Sequence, residues 1–139
     1  MVAIYAYSLT TELVYEQSSG IMYLEDAVGV RTPLFRGYSG AKAHLNDPAY
    51  QRIRNVGPIP RGRWQLDAPV DRRATGPVSI GLEAAKGTET FGRGGFFIHG
   101  DNGDGDGTAS RGCIILDRKC RDVIAALYWA GWRTLEVVE

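Results

Sequence analysis

The sequence predicts a mainly β protein: an antiparallel sheet or sandwich with one α-helix packed on it near the C-terminus. Eighteen glycines and six prolines cut the 139 residues into short segments, as turns do in β-rich domains. Those segments alternate apolar and polar residues with the period of strands. A single stretch, around residues 118–130, instead spaces its apolar residues at helical intervals.

Leu13-Val14-Tyr15-Glu16-Gln17 and Ile21-Met22-Tyr23-Leu24-Glu25 flank Ser18-Ser19-Gly20, the pattern of a hairpin. Residues 34–38 read as a strand broken by Ser39-Gly40. Over residues 47–53 a short helix is expected, with Asp47 as N-cap and Pro48 in the first position. Gly57-Pro58-Ile59-Pro60 is rigid and cannot lie inside a sheet. Residues 63–66, 78–82, 96–99 and 113–116 read as the central strands. Asp117 caps the helix, whose apolar positions are Val123, Ile124, Leu127 and Tyr128, and Gly131 ends it. Residues 132–138 alternate as a last strand. Repeats and long linkers are lacking, and the reading is one catalytic domain over residues 1–139.

Sixteen basic residues balance sixteen acidic ones, which removes the electrostatic reason to bind nucleic acid or an anionic membrane. The arginines at 52, 54, 61, 63, 72 and 73 read as a solvated edge, the alternative being contact with a carboxylate-rich substrate. No apolar run approaches the ~20 residues of a membrane span. Residues 1–8 lack the basic start and long apolar core of a secretion signal, so synthesis in the cytoplasm without a cleavable signal is expected. Cys113 and Cys120 are too few for a disulfide framework; Cys120 reads as a small buried residue of the helix.

The chemistry gathers between Phe96-Phe97-Ile98-His99-Gly100-Asp101-Asn102 and Ser110-Arg111-Gly112-Cys113-Ile114-Ile115-Leu116. One apolar run delivers His99 into a glycine-rich loop, and the loop returns through Cys113 into a second run fourteen positions later. Two neighbouring strands would place an imidazole beside a thiol, the pairing a sulfur nucleophile needs. Taken alone, either residue has a plain structural reading: a satisfied histidine, a buried small side chain. Gly112 lets the backbone approach a ligand, and amides of Arg111, Gly112 and Cys113 would face a developing oxyanion. Arg111 would favour thiolate over thiol. Ser110 either orients the imidazole or braces the turn. Gly100, Asp101 and Asn102, at the loop mouth, are read as further substrate-binding positions. His44 reads as surface.

From Asn102 the loop also matches the first half of a calcium-binding EF-hand, but its twelfth position is Cys113 rather than glutamate. A mobile polar loop beside the site is the reading preferred, with no metal and no cofactor required.

These residues resemble the L,D-transpeptidase catalytic domain (YkuD-like), in which a histidine precedes Ser/Thr-His-Gly-Cys by some fifteen residues. The similarity is greater to a smaller branch, the L,D-transpeptidase-like effectors of type VI secretion systems that attack peptidoglycan. It extends over residues 15–20, Gly37-Tyr38-Ser39-Gly40, residues 55–64, Ile98-His99-Gly100-Asp101-Asn102 and Ser110-Arg111-Gly112-Cys113-Ile114. The resemblance implies a β-rich fold, Cys113 as nucleophile, His99 as base, and tetrapeptide stems of the bacterial wall as substrate. Release of the terminal D-alanine would leave a thioester, resolved by water in an L,D-carboxypeptidase or by an amine in transpeptidation or D-amino-acid exchange. It also implies delivery into the periplasm of a target bacterium, a secretion-apparatus carrier and a cognate immunity protein. Arg111 replaces the wider family's second histidine, and Ile115 a position that is polar in many members. Trimming or exchange is therefore expected over cross-linking. The competing readings are a Cys/His amidase or endopeptidase of another wall bond, and a non-catalytic module of a phage or secretion apparatus.

Overall fold

A computed structural model describes residues 12–103 and 106–139; the segment read for a secretion signal lies outside them. The predicted hairpin forms from β1 (Glu12–Glu16) and β2 (Ile21–Glu25), and β3 (Arg31–Arg36) extends it antiparallel. The strand expected over 34–38 is interrupted at Gly37, where a Cβ would lie 2.0 Å from the Ile115 carbonyl oxygen. Beyond that close approach, Tyr38–Ser39 (β4) pairs elsewhere. The helix expected at 47–53 is a single 3-10 turn, Pro48–Tyr50, with Asp47 accepting from the Ala49 amide as its cap. A second such turn spans Lys42–His44.

β5 (Gly62–Leu66), β6 (Val70–Arg72), β7 (Gly76–Ala84), β8 (Phe96–His99) and β9 (Ile114–Ile115) follow, then α1 (Arg118–Trp129) and β10 (Thr134–Val138). The strands make one sheet in the order β3-β2-β1-β10-β5-β7-β8-β9-β4, with β6 paired to β7 beside this path. The fold is thus mainly β with one α-helix among the described residues. The sheet is mixed rather than wholly antiparallel, because β1 pairs with β10, and β8 with β9, in parallel. Parallel neighbours need a connection of a dozen or more residues, and residues 100–113 supply it. β6, Val-Asp-Arg, is too short to show an alternation.

The registers align Leu13, Leu135 and Trp64 across one face, and Ile80, Ile98 and Ile114 further along. These join Leu82, Phe96, Ile59, Leu116 and, from α1, Ile124 and Tyr128 in the core. Asp117 caps α1 by accepting from the Cys120 amide, as expected. Val123, placed on the apolar stripe, is instead 45% exposed, so the buried stripe is narrower and includes Arg121. Cys120 is partly buried against the core, and both cysteines are free thiols.

Candidate functional site

The β8–β9 register sets the geometry. Ile98 stands opposite Ile114 and His99 opposite Ile115, so Cys113 falls opposite Phe97. Side chains alternate across a sheet. Ile98 and Ile114 point into the core, while Phe97, His99 and Cys113 share the other face. Cys113 and His99 are diagonal neighbours there, about 8 Å apart at Cα for a strand spacing of about 4.8 Å and a two-residue rise of about 6.6 Å.

Each group is held by backbone. His99 is buried, and its Nδ1 lies 2.8 Å from the Gly100 carbonyl oxygen. A carbonyl only accepts, so Nδ1 carries the hydrogen and neutral His99 keeps its lone pair on Nε2. Burial pushes the imidazole pKa down; the Gly100 carbonyl opposes this, while Arg121 and Arg72 add to it. The Cys113 sulfur donates to the Gly95 carbonyl at 3.7 Å. Burial raises its pKa, opposed by the Phe97 amide and by Arg72 and Arg93. No hydrogen bond joins sulfur to ring; at rest the pair is a neutral thiol beside a neutral imidazole.

The turn before Cys113 is tied from three sides. Ser110, fully buried, donates from Oγ to the Cys113 carbonyl (2.6 Å) and accepts from the amides of Gly40 (2.9 Å) and Gly112 (3.1 Å). Of its two expected roles, it therefore braces the turn and does not touch the imidazole. The Gly112 amide, expected to face an oxyanion, is spent on Ser110. Ser39 of β4 donates to the Gly112 carbonyl (3.0 Å) and accepts from the Ile59 amide (2.9 Å), which ties Gly37-Tyr38-Ser39-Gly40 and Gly57-Pro58-Ile59-Pro60 to the site. Arg93, only 6% exposed, donates to the carbonyls of Gln51, Gly57 (2.9 Å), Pro58 (2.8 Å) and Arg111 (3.2 Å). Gly112 has φ +125°, and a Cβ there would meet Arg93 Nη2 at 2.5 Å and the Phe96 ring at 2.8 Å. Only glycine fits.

Arg111 is exposed and is not among the charges that act on the thiol; Arg72 and Arg93 take the role expected of it. Arg93 sits in Gly92-Arg93-Gly94-Gly95, a glycine-rich turn before a buried strand, a setting that marks a cation the backbone must enclose. Arg72 carries no comparable signal. Asp101 accepts from the Tyr38 hydroxyl (3.1 Å) and the Asn102 amide (2.8 Å), and Asn102 Nδ2 donates to Thr108 (2.9 Å). Both therefore shape the loop mouth. A Cβ on Gly100 would lie 2.6 Å from Arg121 Nη1.

A cleft of ≈400 Å³ opens beside His99, walled by residues 74–76, 99–102 and Thr108, Ala109 and Arg111, with Cys113 outside its lining. Asp106 is held by Thr108, and no metal-holding group of side chains occurs among the described residues. His44 is not a bare surface group: it stacks on Tyr50 with ring centroids 3.8 Å apart and lies 4.0 Å from Asp47. Of the remaining arginines, Arg63 pairs with Glu12 and Glu136, Arg61 with Glu139, and Arg54 donates to the Gly92 carbonyl.

A mainly β scaffold that carries a histidine at the end of one strand and a cysteine just before that strand's parallel neighbour is the class this geometry defines. The family model of the Tlde1 domain matches residues 34–137, and the chain belongs to that family of type VI secretion effectors. Comparison with curated proteins gives no match.

Proposed function

We propose that this protein is an antibacterial effector that removes or exchanges the terminal D-alanine of peptidoglycan tetrapeptide stems. The observation that carries the reading is the parallel pairing of β8, which ends at His99, with β9, which follows directly on Cys113. Membership of the Tlde1 family supports an effector of a type VI secretion system.

In this reading His99 Nε2 takes the Cys113 proton as sulfur attacks the carbonyl of the third stem residue. The carbon–nitrogen bond breaks, the imidazolium returns its proton to the leaving amine, and D-alanine departs from a thioester. Water, deprotonated by His99, then attacks the thioester and releases the shortened stem and the thiol. A D-amino acid in place of water gives exchange. Arg111 is exposed on the cleft wall and takes no part in proton transfer.

Digestion of purified muropeptides, followed by mass spectrometry, tests this with Cys113→Ala as control. Loss of one D-alanine, or its replacement by an added D-amino acid, is expected from the unmodified chain alone. Separation of stem from sugar would establish an amidase, and opening of a cross-bridge an endopeptidase. Directed to a bacterial periplasm the chain should be toxic, and retained in the cytoplasm it should not.

A further inference from the structure

Arg72 ends β6, and its guanidinium lies over the Phe97 ring at 3.9 Å. Phe97 is the residue opposite Cys113 and two before His99, so this cation stands over the row in which both reacting groups lie. Its charge acts on both: it lowers the pKa of the thiol and of the imidazole. Stacking occupies a guanidinium face and leaves the N–H edge for acceptors. One edge nitrogen reaches Thr75 Oγ1 at 3.4 Å. Among the described residues no carboxylate forms an ion pair with Arg72, whereas Arg31, Arg61 and Arg118 each have one and Arg63 has two. Residues 74–76, where the turn after β6 enters β7, wall the cleft that His99 lines.

We propose that Arg72 is the carboxylate-recognition residue of this site, taking the free α-carboxylate of the substrate's C-terminal residue. The assignment rests on the proposed cleavage before a terminal residue. Such a residue carries its carboxylate two bonds from the leaving nitrogen. With the scissile carbonyl at Cys113 and the leaving nitrogen toward His99, that anion falls beside the cation standing over both. Arginine meets carboxylate through two parallel N–H···O bonds, so the site selects chain ends over internal peptide bonds.

The test compares a tetrapeptide stem ending in free D-alanine with the same peptide ending in the carboxamide. Binding is read calorimetrically on the Cys113→Ala protein, where no turnover occurs. The acid should bind about tenfold more tightly than the amide, as expected for a charged hydrogen-bond pair. Adding Arg72→Gln should bring the ratio to about one. Arg72→Met, which keeps an apolar stem on Phe97, should do the same, and the ratio is internal to each variant, so a change in stability cannot imitate it. Equal binding of acid and amide by the Cys113→Ala protein overturns the proposal, as does a ratio that survives both substitutions or is abolished by Arg111→Gln instead. Turnover of the unmodified chain separates the two claims. An acid preference in binding with no D-alanine released removes the carboxypeptidase reading and leaves Arg72 assigned; release from acid and amide at equal rates does the reverse.

Discussion

Arg93 Nη2 donates to the carbonyl oxygen of Arg111 at 3.2 Å, so a buried cation grips from below the turn that presents Cys113. The same guanidinium satisfies carbonyls of Gln51, Gly57 and Pro58. Its charge is balanced by carbonyl dipoles and the nearby Phe96 ring rather than by a carboxylate. A thiolate forming on Cys113 would favour the charged guanidinium, against burial and the Arg54 charge.

Replacing Arg93 by alanine leaves those carbonyls without their donor. A loss of about 3 kcal/mol in unfolding free energy is expected, read from urea denaturation. Arg93→Lys should recover only part of it, because one ammonium cannot reach carbonyls spread over a planar fork. Full recovery by lysine would show that charge, not the fork, holds the turn.

Ser110→Ala should cost about 1–3 kcal/mol, since it strips one acceptor from two buried amides and one donor from the Cys113 carbonyl. Turnover should fall because the turn loosens. The midpoint of the pH–rate curve should stay where it is, because the hydroxyl does not touch His99. A shifted midpoint would restore the imidazole-orienting role that the hydrogen bonds assign elsewhere.

Most strands and the helix were legible because each depends on local alternation or on a cap–stop pair such as Asp117 and Gly131, whereas β6 was not, and β3 and β9 differ in extent from the expected 34–38 and 113–116. The pairing of the strand that ends at His99 with the one that follows Cys113 was legible, since two apolar runs bracket one loop. The partners of the turn were not. Ser39 reaches Gly112 across 73 positions and Arg93 reaches Gly57 across 36, and no periodicity encodes contacts of that range. Arg111 was favoured as the thiol's cation because it is adjacent in sequence. The sheet instead brings Arg72 across from β6, a strand three residues long, and so adjacency misled. Val123 failed for a related reason: helical spacing gives a stripe, but only packing against the sheet fixes its width.

Alkylation separates the two thiols. Burial and the Asp117 carboxylate push the Cys120 thiol up to about 11. Burial also raises Cys113, but the Phe97 amide and two arginines work against it. Iodoacetamide at pH 8 to 9 should therefore label Cys113 first, as read by peptide mass spectrometry. Labelling of Cys120 before Cys113 would mean that Cys113 is sealed off, and the nucleophile reading would go with it.

The pH dependence of turnover follows from His99. Burial, with Arg121 and Arg72 adding to it, holds the imidazole below the ordinary histidine value of about 6.5. The base must be neutral to take the thiol proton, so kcat/KM should fall only as pH drops through that lowered value, and activity should persist below pH 6.5. Removing Arg72 removes a cation that disfavours the imidazolium, so in Arg72→Gln the acid limb should move to higher pH. The same loss removes support for the thiolate, so the alkylation profile of Cys113 should also move to higher pH. Asp101 favours the imidazolium, and Asp101→Asn should move the acid limb the other way. Opposite shifts in the two variants, measured on one peptide over pH 4 to 9, would tie the acid limb to His99; a limb indifferent to both charges would place the titrating base elsewhere.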